Sequence, residues 1–190
     1  MSSAYVVGTI GVALNQVFIW PQVRRACSTV EGLAALSVLG GLLARTTWTV
    51  YGAALGDPAL VLGNVTVATG FLLLLLLLAR AQRATVLLAG GVAVAAVALG
   101  AALAGEVVLG WVAVVSAAVV NLPQMLQALR DPRRLAGVSV PTYCLIALAS
   151  ACWLSYGLLV HEPLITAPHL LLLPTALVTA VMAARSHRPT

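Results

Sequence analysis

Trp48-Thr49-Val50-Tyr51-Gly52 leads through Asp57-Pro58 to Asn64, and the same design returns as Trp153-Leu154-Ser155-Tyr156-Gly157, through Glu162-Pro163, to His169. Each element of the second copy stands 105 residues after its counterpart. A second pair precedes each stretch: Pro21-Gln22 returns as Pro123-Gln124, and Gly8 as Gly110, at an offset of 102. The change of offset falls in a loop, where insertions are tolerated. The chain is therefore one unit built twice.

Composition decides the solvent of that unit. Of 190 residues, 62% are hydrophobic and 8% charged, and the mean hydropathy is +1.06. A water-soluble domain of this length has no room to hide so much apolar surface, so the chain is read as a membrane protein. Lysine is absent, and the ten basic residues are all arginine. The net charge of +5 suggests topology signals and not a nucleic-acid surface, because the arginines punctuate apolar runs. Cys27, Cys144 and Cys152 form no metal-ligand spacing or disulfide framework. No basic region precedes the first apolar run, which is read as a retained helix.

A membrane-crossing helix needs about 20 apolar residues. Seven runs fit, at roughly 4–23, 33–55, 58–79, 84–104, 107–129, 138–160 and 163–184. Arg24 and Arg25, Arg80 and Arg83, the Arg130/Arg133/Arg134 group, and Arg185 with Arg188 then fall on one side. The other side holds Asp57, Glu106, Glu162 and His161. The positive-inside rule makes the arginine side cytoplasmic, with the N-terminus outside and the C-terminus inside. The expected fold is all-α: seven transmembrane helices as two parallel three-helix bundles, 1–82 and 107–190, joined by a linker helix in 83–106. Gly90, Gly91, Ala95 and Gly100 in the linker suit close helix packing. The Leu72–Leu78 run is expected to face lipid. Parallel repeats are one plan for transporters, with solute bound between the halves near the midplane.

Trp48 and Asn64 each fall roughly 10 Å below the outer surface, and Trp153 and His169 fall at the same level. Indole faces stack on sugar rings and other flat groups, and an amide pairs with hydroxyls. A single Trp there reads as part of the interfacial aromatic belt, and a single Asn as interhelical glue. Two copies at equal spacing point to a shared site. Arg45 lies near the centre of the second run and answers to Ser150 in the repeat. An intramembrane Arg faces a cavity or a partner. It either contacts a polar or anionic solute group or pairs with carbonyls and water. His169 replaces the first copy's asparagine and follows Pro168. It reads as a neutral hydrogen-bonding imidazole, with proton sensing as the sharper alternative.

Pro21-Gln22 and Pro123-Gln124 place kinks near the cytoplasmic ends, as hinges of an inner gate or as static bends. Tyr51 with Asp57, and Tyr156 with Glu162, suit an outer gate. An acid followed by Pro is also a standard helix start, so capping is expected regardless. No nucleotide loop, metal cluster or catalytic triad is present, and His161, His169 and His187 are too scattered for a metal site. No enzyme activity or cofactor is expected.

Pro-Gln in the first helix, Trp-x-x-Tyr-Gly ending the second and Asn in the third together resemble the PQ-loop superfamily. Within it the chain is most similar to the SWEET sugar transporters and their half-size relatives, the SemiSWEETs. The resemblance implies facilitated movement of a small sugar by alternating access. It makes Trp48, Asn64 and Trp153 solute contacts, Pro21 and Pro123 hinges, and Tyr51 and Asp57 outer-gate residues. Three departures stand out: His169 in place of the second Asn, Ala34 opposite Ser139, and the extra charge of Arg45. PQ-loop relatives also carry amino acids, some with protons, and others are receptors. The alternatives are therefore a proton-coupled carrier of a small polar solute using His169 and Arg45, and a receptor that binds without transport. One chain holds both halves of a pathway in a cell (inner) membrane, alone or within a homo-oligomer.

Overall fold

Helices begin where the sequence supplies an acceptor for their unpaired first N–H groups and a proline whose fixed φ suits the first turn. Asp57-Pro58 and Glu162-Pro163 do this. The computed structural model describes residues 2–28, 30, 35–81, 84–117 and 140–186. It contains α1 (Ser3–Phe18), α2 (Trp20–Ala26), α3 (Ala35–Ala54) and α4 (Pro58–Ala81). Then follow α5 (Ala84–Leu103), α6 (Glu106–Ala117), α7 (Val140–Leu159) and α8 (Pro163–Ser186). No strand occurs among the described residues.

These segments answer to the seven expected spans, with α1 and α2 as two pieces of the first and α6 as the described start of the fifth. By length and hydropathy, Ser3–Arg24, Pro58–Arg80 and Pro163–Met182 are long and apolar enough to cross a bilayer. Large apolar side chains such as Leu36, Val92, Leu103 and Leu170 stand exposed, as a lipid-facing surface requires. The protein is an all-α, seven-helix membrane protein.

The division between α1 and α2 has a local cause. Pro21 lacks an N–H and its ring crowds the carbonyl of Val17, four residues back. The helix breaks at Ile19, whose carbonyl accepts from both Gln22 N and Val23 N at 3.1 Å. The kink packs against α4: a Cβ on Gly70 would lie 2.5 Å from Ile19 Cγ1. Pro123 and Gln124 lie outside the described residues.

The chain divides into two compact units, Val12–Ala117 and Met1–Gly11 with Ala118–Thr190. In the first, α3 packs along α4, α5 leans on both, and α2 touches α4. Its core joins Ile19, Val23, Val38, Leu42, Val67, Leu74, Leu75, Leu78, Leu87 and Val94. Lipid is as apolar as leucine, so close contact and not escape from water holds these helices together. In the second unit α7 packs along α8.

Two expectations are corrected here. The Leu72–Leu78 run is not simply a lipid wall. Leu74, Leu75 and Leu78 are buried to 1–2% exposure, while Leu72, Leu73 and Leu76 face outward. A helix of one residue type offers its neighbours one face and lipid the other. In α5, Gly90 and Gly91 do meet neighbours, Leu39 and Leu75. Gly100 meets nothing within 4 Å, and Ala95 is exposed.

Candidate functional site

The two copies of the repeated stretch build the same local structure. Tyr51 and Tyr156 sit one helical turn after their tryptophans, so each pair shares a helix face. Trp48 and Tyr51 meet edge to face, with centroids 5.8 Å apart and planes at 77°. Trp153 and Tyr156 repeat this at 5.6 Å and 86°. All four rings are buried. The glycine ending each motif lets the next helix close in. A Cβ on Gly52 would lie 2.9 Å from Leu60 Cβ, and one on Gly157 would lie 2.5 Å from Thr166 Oγ1.

The acids cap, as expected. Asp57 Oδ1 accepts from Leu60 N at 3.0 Å, and Glu162 Oε1 accepts from Leu164 N at 3.3 Å. The preceding helices end in paired Schellman turns. Asp57 N donates to Gly52 O and Glu162 N to Gly157 O, each at 2.8 Å.

Asn64 and Arg45 are brought together. Arg45 Nη1 donates to Asn64 Oδ1 at 2.9 Å, and Asn64 Nδ2 donates to Leu60 O at 2.9 Å. Asn64 is 3% exposed, so its amide is oriented at both ends. The Arg45 guanidinium also lies over the Phe18 ring, 5.6 Å from its centroid. A solute group and carbonyls with water were the two partners weighed for Arg45, and the protein groups it meets add to them. It meets a side-chain amide and an aromatic face.

The neighbourhood of Asn64 is braced from α1. Asn15 Nδ2 donates to Gly63 O at 3.1 Å, and Gln16 Nε2 to Leu62 O at 3.0 Å. Asn15, Gln16 and Phe18 were missed in the sequence. Two adjacent amides in an apolar run were the available signal for the first two.

The second copy is built differently at the matching positions. Ser150 stands for Arg45 and His169 for Asn64, and His169 is half-buried behind the buried Pro168. Ser150 is 1% and Trp153 4% exposed, and among the described residues neither Ser150 Oγ nor Trp153 Nε1 has a hydrogen-bond partner. The two groups lie one helical turn apart, on one face of α7. The Trp153 ring lies against Gly11 of α1, where a Cβ would stand 3.2 Å from Cε2 and 3.3 Å from Nε1. Pro21 and Gln22 are exposed on α2. No group of three metal-ligating side chains occurs among the described residues.

No family model and no curated protein matches the sequence. A solved eukaryotic SWEET transporter does match in structure, over 97% of this chain and 99% of its own, with a TM-score of 0.77 at 18% identity. The chain has the fold of a SWEET transporter. Within that SWEET fold, the paired Trp–Tyr layers and capped helix starts are the repeated parts. The Arg45–Asn64 bond belongs to one copy alone.

Proposed function

We propose that the protein is a membrane transporter that moves a small sugar by alternating-access facilitated diffusion. One observation carries this reading: on a SWEET fold, each copy of the repeat presents a buried Trp braced by a Tyr, followed by a polar side chain in the next helix. An indole offers an apolar face to a sugar ring, and the polar groups beside it answer its hydroxyls. Trp48, Asn64, Trp153, His169 and Arg45 are the solute contacts in this reading. The kink at Pro21-Gln22, with its counterpart at Pro123-Gln124, supplies the inner hinges. Tyr51 with Asp57, and Tyr156 with Glu162, close the outer side in addition to capping.

The reading includes an N-out, C-in orientation in a cell membrane. It also includes two three-helix repeats, 1–82 and 107–190, joined through 83–106, with one chain as one pathway. The test is uptake of labelled glucose and sucrose into liposomes holding the purified protein, with and without an inward proton gradient. Saturable uptake that ignores the gradient supports the uniporter. Uptake that follows the gradient, and loses that response in His169→Asn, replaces it with a proton-coupled carrier. Binding without flux replaces it with a receptor.

A further inference from the structure

Arg45 is a permanent cation near the centre of α3, inside a span. Charge at that depth is expensive and is kept only where something repays it. The protein supplies little repayment. All five acidic residues lie outside the central parts of the apolar runs. Among the described residues the partners of Arg45 are neutral: the Asn64 carboxamide oxygen and the Phe18 ring. No ion pair to it occurs among the described residues.

The guanidinium is nevertheless held in place. Asn64 is fixed by its own bond to Leu60 O, and Asn15 and Gln16 fix the carbonyls just before it. The Phe18 face supports the plane of the guanidinium from α1. A guanidinium carries five N–H donors, and the Asn64 bond uses one. The remaining fork matches the two oxygens of a carboxylate, the arrangement Arg recognises best. The repeat places Ser150 at the corresponding position, so the chain has one such cation and not two.

We propose that the transported solute carries a single carboxylate, as a sugar acid does, and that Arg45 is the specificity-determining residue that reads it. Asn64 is then a positioning residue, aiming Arg45 through its carboxamide oxygen. This inference rests on the transporter reading above. It predicts something a neutral-sugar uniporter lacks. Each solute moved carries one negative charge, so net accumulation follows the membrane potential, about tenfold for about 60 mV.

The experiment compares labelled glucuronate with labelled glucose in liposomes holding the full chain, with a potassium-valinomycin potential set positive or negative inside. The expected result is saturable glucuronate uptake that an inside-positive potential drives and an inside-negative one suppresses, with glucose uptake at least tenfold lower. Arg45→Gln is expected to abolish the glucuronate preference, lowering glucuronate uptake to the level of glucose. Because that variant can fail to fold, wild-type tryptophan fluorescence titrated with each solute gives a second reading. Glucuronate should bind at least tenfold more tightly than glucose. Glucose uptake equal to or above glucuronate uptake overturns the inference and leaves the transporter reading standing. Uptake of both solutes, reduced alike by Arg45→Gln, also overturns it, since a structural role does that. Uptake of neither solute overturns the transporter reading and the inference with it.

Discussion

His161 occupies in the second copy the turn position that Gly56 holds in the first, and both backbones are left-handed, at φ 57° and 66°. Each residue closes a Schellman turn, His161 N donating to Leu158 O at 3.3 Å and Gly56 N to Ala53 O at 3.2 Å. A Cβ in that conformation costs roughly 1–2 kcal/mol, which glycine avoids. His161→Gly should therefore stabilise the protein by about 1 kcal/mol, read as a higher unfolding midpoint in detergent. His161→Val should lower it, because a β-branched residue fits the turn worst. An unchanged midpoint in both variants would remove the strain argued here.

The glycines that end the repeated motifs serve a different purpose, close approach between helices. A Cβ at residue 157 would lie 2.8 Å from Thr166 N, and one at residue 52 would lie 3.0 Å from Val61 N. Backbone does not move aside as a side-chain tip does. Gly52→Ala and Gly157→Ala should each cost about 1–3 kcal/mol, with Gly157→Ala the more severe. Gly100→Ala is the internal control, since nothing lies within 4 Å and alanine favours a helix by about 1 kcal/mol. Thermal unfolding of the three variants side by side checks the order.

Much of this was legible in the chain itself. Helix starts followed from Asp57-Pro58 and Glu162-Pro163 because capping is local chemistry, and the spans followed from length and hydropathy. The kink followed from Pro21. What was hidden depended on rotation about a helix axis. Arg45 could be placed by depth, but its reach to Asn64 and Phe18 depends on an angle that depth leaves free. The burial of Leu74, Leu75 and Leu78 was masked because a run of one residue type carries no periodic signal. The second Schellman turn was masked because histidine is not a turn residue. Asn15 and Gln16 were passed over although they are polar residues in an apolar run, because the carbonyls they meet on α4 lie 48 and 46 residues away.

The tryptophans test the site most directly. Trp48→Ala and Trp153→Ala should each lower solute uptake at least tenfold per folded protein. Each also empties a buried site at a cost of about 3–5 kcal/mol, so Trp→Phe variants are needed beside them. Phe keeps an aromatic body while changing the ring proposed to meet the solute, and should lower uptake with little loss of folding. Gly11→Val approaches Trp153 from behind, because a Cβ there already stands 3.2 Å from the ring. It should displace the indole and lower uptake without altering either tryptophan. Leu170→Ala, at a residue 65% exposed, should leave uptake unchanged. Equal flux in all of these folded variants would dismiss the paired tryptophans as solute contacts.

The coupling between Arg45 and Asn64 can be measured apart from transport. Asn64→Leu removes the acceptor of the Arg45 Nη1 bond and leaves a charged donor inside the bundle, which should cost about 1–3 kcal/mol or more. Arg45→Leu leaves Asn64 Oδ1 without that donor, a smaller penalty because a neutral acceptor is cheaper to strand than a charge. Arg45→Leu/Asn64→Leu removes both partners, so its loss should be less than the sum of the two. The interaction energy of that double-mutant cycle should fall between about 0.5 and 3 kcal/mol. Additive losses would mean that the 2.9 Å contact contributes nothing to the fold, and that Asn64 does not hold Arg45 in place. A cycle through Phe18→Leu separates the aromatic support from the amide. It should return a smaller coupling, of about 0.5–2 kcal/mol, because a cation–π contact is weaker than a charge-assisted hydrogen bond.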